Sequence, residues 1–242
     1  MKRKVILDTE TTGLKPEDGH RIVEIGAVEL IDNQLTGKTY YTLINPERDI
    51  PYEVVKIHNI NNEKVKNSPF FRDISDDFLK FISGSELLIH NASFDIKFLN
   101  YELDRLNKGK IWDHVTNATC TLQLDRRLFE NEKSHTLDSI CKRFNIDLSQ
   151  REANGHGALL DAQLLAEVYL KINELYPAET IEADFEQINW TRPIIKRYSN
   201  VSLKKIQTSS EEEKIHQHFL KTLENKEKVQ PIFLSNVMKN SL

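Results

Sequence analysis

Cysteine is nearly absent: Cys120 and Cys141 are the two among 242 residues, and they form no Cys-x-x-Cys pair. That argues against a disulfide framework and against a zinc site, and it fits a reducing cytoplasm. Long apolar runs are also missing, so no stretch reaches the ~20 residues that a membrane helix needs. The basic start MKRKVILD resembles a signal peptide, but its apolar run breaks at Asp8, too early to be one. Nor is there an excess of positive charge. The 33 Lys and Arg face 37 Asp and Glu, a net −4, which is not the footprint of a protein that grips a long duplex. Ten basic and ten acidic residues after position 172 cancel, so the first 172 residues carry the whole imbalance. A nucleic acid bound there has a short footprint, with metal cations supplying the missing positive charge. What is present suits a globular core: 39% hydrophobic and 29% charged residues, in a length that fits one sizeable domain plus an appendage or two small domains.

The chain opens with an apolar run, Val5, Ile6 and Leu7, that reads as a buried strand. RIVEIGAVELI and GKTYYTLIN read as two further strands joined by a turn around Asp32, Asn33 and Gln34. PYEVVKIHNI suggests a short helix opening with Pro51. Ser68-Pro69 begins a helix bearing Phe71, Ile74, Phe78 and Phe81 and stopping near Gly84. ELLIHN is a short strand, followed from about Ser93 by a helix with Ile96, Leu99, Leu103 and Leu106. Thr119 to Phe129 reads as helical. Leu137, Ile140, Cys141 and Phe144 mark another helix, and Leu160, Leu164, Val168 and Ile172 a last one. Early strands followed by alternating strands and helices predict an α/β domain with a mixed sheet, over residues 1–172.

Asp8 and Glu10 follow that first apolar run directly, and strand alternation points them to one face. Two buried like charges are unfavourable unless something cationic compensates them, so the pair meets either water at a frayed strand end or a metal. Asp95, in HNASFD, lies in the first turn of a helix, where the helix dipole also favours an acid. Asp161, in GHGALLDAQLLAEVYL, has largely apolar neighbours, and His156 precedes it between Gly155 and Gly157, which leave its backbone free to swing.

Taken in order, DTETTGL, HNASFD and HGALLD resemble the three motifs of the DEDD 3′–5′ exonucleases. A histidine five residues before the last aspartate marks the histidine branch of that superfamily. The resemblance covers about residues 4 to 172 and is strongest to the proofreading (epsilon) subunits of bacterial DNA polymerase III. It implies a ribonuclease H-like, mixed five-stranded sheet covered by helices. It also implies two divalent ions, Mg²⁺ or Mn²⁺, at the phosphate of the terminal nucleotide of a single-stranded or frayed DNA 3′ end. Asp8, Glu10 and Asp161 would be direct ligands, and so substrate-binding, with Asp95 holding the second ion directly or through water. His156 would be the general base, since an imidazole titrates near neutral pH. The resemblance places Glu53 near the 3′ hydroxyl, His58 on the terminal nucleotide and Ile57 on its base. Leu14 would wedge against the terminal bases or sit in the core, and His90 would be structural.

Residues 173–208 lack a clear period and read as a linker. Within 209–242, Ser209 and Glu212 form a capping-box pattern before Ile215, Phe219 and Leu223 on one helical face. A tail carrying one amphipathic helix resembles the segment that tethers epsilon subunits to the polymerase (alpha) subunit. The family's Gln-led sliding-clamp peptide is not evident, and QINW from Gln187 is a poor match. The expectation is a cytoplasmic proofreading exonuclease with no membrane partner. An RNA 3′-trimming exonuclease of the same branch and a silent polymerase-stabilising module are the alternatives.

Overall fold

A computed structural model of the protein describes residues 2–176. The run Val5, Ile6, Leu7 lies in β1 (Arg3–Thr11), the middle strand of five. β2 (Ile22–Ile31) and β3 (Gln34–Leu43) form a hairpin. Its turn is Asp32 and Asn33 at φ 49° and 61°, a left-handed pair that matches the twist of the strands it joins. β4 (Glu86–Ile89) and β5 (Asn117–Cys120) complete the order β3-β2-β1-β4-β5. β1, β2 and β3 are antiparallel, whereas β1–β4 and β4–β5 are parallel, so the sheet is mixed as expected. One strand differs from the sequence reading. Thr119 and Cys120 belong to edge strand β5, and helix α5 (Thr121–Leu128) starts only after them. Its Asn-Ala-Thr-Cys does alternate polar and apolar residues, but four residues are too few for that period to stand out before a helix start, and Ala118, Thr119 and Cys120 are all buried.

The remaining helices are α1 (Tyr52–His58), α2 (Asn62–Val65), α3 (Phe71–Ile82), α4 (Ala92–Arg105), α6 (Leu137–Arg143), α7 (Ser149–Asn154) and α8 (Ala158–Leu175). α2 and α7 are too short to carry a hydrophobic period, and the sequence pattern does not show them. Alternation along β1 sorts the core into two layers. Val5 and Leu7 pack with Phe71, Phe78, Phe98 and Leu99 of α3 and α4. Ile6 packs with Ile140 of α6 and Leu165 and Val168 of α8. Asp8 and Glu10 continue the face of Ile6, toward α8.

Two features of the sheet leave room for a site at the end of β1. β4 pairs with β1 only as far as Ile6 and Leu88, so residues 8–11 project beyond their neighbour. A crevice at the carboxyl ends of parallel strands is the usual ligand position in α/β sheets. On the other side Gly26 stands opposite Asp8, and a Cβ at Gly26 would lie 2.1 Å from the backbone nitrogen of Leu159. The first turn of α8 therefore approaches the sheet where residue 26 has no side chain.

α8 continues to Leu175, and the Tyr176 ring stands edge-on to Phe129 at 5.9 Å. The Gln187 segment, the linker beyond Tyr176 and the helix read from Ser209 through Leu223 lie outside the described residues. Among the described residues no helix is long and apolar enough to cross a membrane.

Candidate active site

Asp8, Glu10, Asp95, Asp161 and His156 line one cleft of about 780 Å³. β1 delivers Asp8 and Glu10, the first turn of α4 delivers Asp95, and the first turn of α8 delivers Asp161. Asp95 is 2% exposed, and Thr9 Oγ1 donates to its Oδ1 at 2.7 Å. Thr9 thus turns a core-facing position of β1 to the service of the α4 carboxylate.

The charges in this cluster do not balance. Arg151 of α7 is the cation among these acids: its Nε and Nη2 donate to Asp161 Oδ1 and Oδ2 at 2.7 and 2.8 Å. Nη2 also lies 2.8 Å from His156 Nδ1, and Nη1 pairs with Asp138. One guanidinium faces four carboxylates. Burial, then the charges of Asp95, Glu10 and Asp161, hold the Asp8 carboxyl well above the usual carboxylate range. Burial and the nearby Asp161, Glu24 and Asp95 push Glu10 up to about 8, and burial pushes Asp95 up to about 7. Like charges in a dry site are driven to keep protons until a cation arrives. Glu10, His156 and Asp161 also offer ligand atoms that all lie within 4.8 Å of one another. Hard oxygen donors with surplus negative charge fit a divalent ion such as Mg²⁺ or Mn²⁺.

Three residues that the sequence reading passed over hold this arrangement: Thr9, Arg151 and Glu24. Glu24 is buried opposite Glu10 in the β1–β2 register. Its Oε2 accepts the Ala158 amide at 2.6 Å and its Oε1 accepts the Tyr41 hydroxyl at 3.0 Å. A carboxylate from β2 thereby caps α8 and fixes where Asp161 stands. The His156 loop is fastened as well. The His156 amide donates to the Ile57 carbonyl at 3.0 Å, and Gly155 has φ 80° with Ile57 O only 2.9 Å from a hypothetical Cβ. Gly157 is extended, so of the two glycines only Gly155 needs the left-handed region.

The residues expected to hold the terminal nucleotide fall outside the cleft lining. Glu53 is exposed on α1 and pairs with Lys56 at 3.2 Å. His58 is buried, its Nδ1 accepting the Ile60 amide at 3.0 Å and its Nε2 lying 3.3 Å from the Thr11 carbonyl. With both ring nitrogens engaged by backbone, His58 pins α1 to the end of β1 and has no nitrogen left for a nucleotide. Leu14 is 78% exposed and Ile57 51%, so the core alternative for Leu14 does not hold. His90 lines the cleft as a neutral ring: burial lowers its pKa to about 4, and its Nδ1 lies 3.1 Å from Thr121 Oγ1.

Residues 5–169 match the RNase_T family, described as Exonuclease. The DNA polymerase III subunit epsilon of Rickettsia prowazekii is 54% identical over 171 residues, covering 70% of this chain and 73% of the relative. That of Haemophilus influenzae is 38% identical over 237 residues, covering 93% of this chain and 91% of the relative. The chain belongs to the exonuclease family of the polymerase III epsilon subunits. Solved structures agree on the fold. Exonuclease X in complex with 5′ overhanging duplex DNA superposes at TM-score 0.57 with 26% identity, over 73% of this chain and 96% of that one. The nuclease domain of 3′hExo, a DEDDh family member bound to rAMP, superposes at 0.60 with 18% identity, over 72% of this chain and 93% of that one. Membership makes the chain a divalent-metal-dependent 3′–5′ exonuclease with a ribonuclease H-like fold.

Proposed function

We propose that the chain removes mispaired 3′-terminal nucleotides from DNA during replication in the cytoplasm, releasing nucleoside 5′-monophosphates. The observation that carries this reading is the unbalanced cluster: four carboxylates against one guanidinium at the end of an open cleft. Asp8, Glu10 and Asp161 would hold two Mg²⁺ or Mn²⁺ ions, with Asp95 on the second. Such a pair supplies the charge that stabilises both the attacking water and the leaving 3′ oxygen. Thr9 keeps one Asp95 oxygen engaged, and Glu24 holds the first turn of α8 at the depth that Asp161 needs.

His156 takes the proton of the attacking water. While Arg151 donates to Nδ1, the neutral ring carries its proton on Nε2. Arg151 must therefore withdraw before Nδ1 can accept, and withdrawing also frees both oxygens of Asp161. Ile57 and Leu14, exposed beside the His156 loop and on the loop after β1, offer apolar surface for the terminal base, and Glu53 is the carboxylate on the helix of Ile57.

Beyond Tyr176 the chain would tether the nuclease to the polymerase (alpha) subunit. Support comes from the Haemophilus alignment, which at 93% of this chain runs into that segment. Tethering raises the effective concentration at the primer end, so an acidic nuclease needs little grip of its own. The reading is tested with 5′-labelled DNA and RNA oligomers, paired and mispaired at the 3′ end, with and without Mg²⁺. Metal-dependent shortening of mispaired DNA is the expected result. A preference for RNA, or cleavage without metal, would overturn it.

A further inference from the structure

The cleft extends away from the acids to a wall formed by α5 and the turn after it, where Arg126 and Lys133 stand exposed. Elsewhere in the cleft Arg151 is occupied by Asp161, and the His135 ring meets Asp125 at 2.7 Å. Arg126 and Lys133 have no carboxylate partner among the described residues. Phe94 and Leu122 add apolar surface to the same cleft. On another flank α1 borders the site only through the His156 loop, whose amide donates to the Ile57 carbonyl.

We propose that Arg126 and Lys133 bind backbone phosphates of the DNA strand on the 5′ side of the scissile phosphate. The inference rests on the exonuclease reading of the acid cluster and adds the path of the strand. With the scissile phosphate at the acids and the terminal nucleoside against α1, the rest of the strand has only the open cleft to follow. Its phosphates then pass Asp138, a cleft carboxylate outside the ion-holding cluster, and screening that acts over ~10 Å cannot hide it. Two unpaired cations on the far wall offset that repulsion, the arginine as a fork and the lysine as a point charge. Cations interleaved with apolar and aromatic faces are the composition that holds single strands without reading sequence.

The test uses the full chain carrying Arg126→Ala and Lys133→Ala together, with Mg²⁺. Two substrates are compared: single-stranded DNA oligomers of increasing length, and the p-nitrophenyl ester of thymidine 5′-monophosphate, which has no upstream phosphate. Expected is a roughly tenfold rise in KM on the longer oligomers with kcat retained, and at least fivefold less loss on the ester. The slope of log(1/KM) against log salt should flatten by about 0.7 for each phosphate contact removed. The charge-conserving pair Arg126→Lys and Lys133→Arg should restore most of the oligomer KM. Equal losses on ester and oligomers, or unchanged KM and salt slope, would overturn the strand path while leaving the exonuclease reading intact. A wild-type chain inactive on both substrates would overturn the exonuclease reading itself, and the strand path with it.

Discussion

Glu102 and Asp125 are as deeply buried as Asp95 and Asp161, at 2% and 0% exposure against 2% and 4%. Their surroundings differ. Glu102 on α4 receives Arg21 Nε at 2.5 Å and Nη2 at 2.8 Å. Asp125 on α5 receives Arg143 Nη1 and the His135 ring, each at 2.7 Å. At both places each buried acid has its cation, and the pair fastens one segment to another. Among the described residues Asp8, Glu10, Asp95 and Asp161 share Arg151 alone, and three of the four have raised pKa values. The same residue types serve architecture where the charges match and create a demand for a ligand where they do not.

Substitution should separate the two regions. Asp8→Asn is expected to lower Mg²⁺-dependent hydrolysis by about a thousandfold or more, since metal placement contributes several kcal/mol to transition-state stabilisation. Its melting temperature in EDTA should equal or exceed that of the wild type, because a repelling charge is gone. Near-normal cleavage by this variant would break the assignment of the cluster. His156→Ala should lose about 10²–10⁴ in rate, the range of general-base catalysis, yet retain Mn²⁺ binding. Calorimetry showing that it no longer binds Mn²⁺ would make His156 a ligand instead. Glu102→Ala should behave in the opposite way. Leaving Arg21 buried with only the longer contacts to Glu47 at 3.5 Å and Pro46 O at 3.4 Å costs up to about 3–5 kcal/mol of stability, while turnover per folded molecule stays close to wild type. A denaturant titration and an assay normalised to folded protein would check this, and an Asp8→Asn chain that destabilised as much would erase the contrast.

How much of this was legible in the sequence depends on how far apart the interacting groups lie. Asp8 and Glu10 were readable because a strand's period of two, applied to an apolar run, puts both acids on one face. His156 and Asp161 were readable as a spacing on either side of a helix start. Glu24 was not, because its meaning is the Ala158 amide 134 residues later, and only the β1–β2 register brings it opposite Glu10. Arg151 was missed for a related reason: the single turn of α7 that aims it shows no hydrophobic period. β5 was lost because its alternation, Asn117 and Thr119 against Ala118 and Cys120, spans only four residues and runs straight into α5. His58 was read as a contact of the terminal nucleotide, whereas its ring nitrogens face the backbone of Thr11 and Ile60, a pairing that no local spacing reveals.

The smallest expected effect is a slope in stability with pH, and it tests the charge imbalance directly. In metal-free protein Glu10 has a folded pKa of about 8 and Asp95 about 7, both above the values of an unfolded chain. Between the unfolded and folded values the native state holds more protons than the unfolded state, so stability must fall as pH rises through that window. His90 acts in the opposite sense but lower down. Its folded pKa of about 4 lies below the ordinary value near 6.5, so it favours unfolding as pH drops from 6.5 toward 4 and is inert above. The interval from about 6.5 to 8 therefore isolates the acids. In EDTA the melting temperature should decline across it, by a few degrees for a domain of this size. Glu10→Gln should flatten most of the decline, and saturating Mn²⁺ should remove it, because ions bound to the carboxylates favour their charged forms. Glu102→Ala, which alters a matched pair, should keep the wild-type slope at a lower temperature. A flat wild-type profile in EDTA from pH 6.5 to 8 would mean that the four acids are already balanced, and the contrast with Glu102 and Asp125 would collapse.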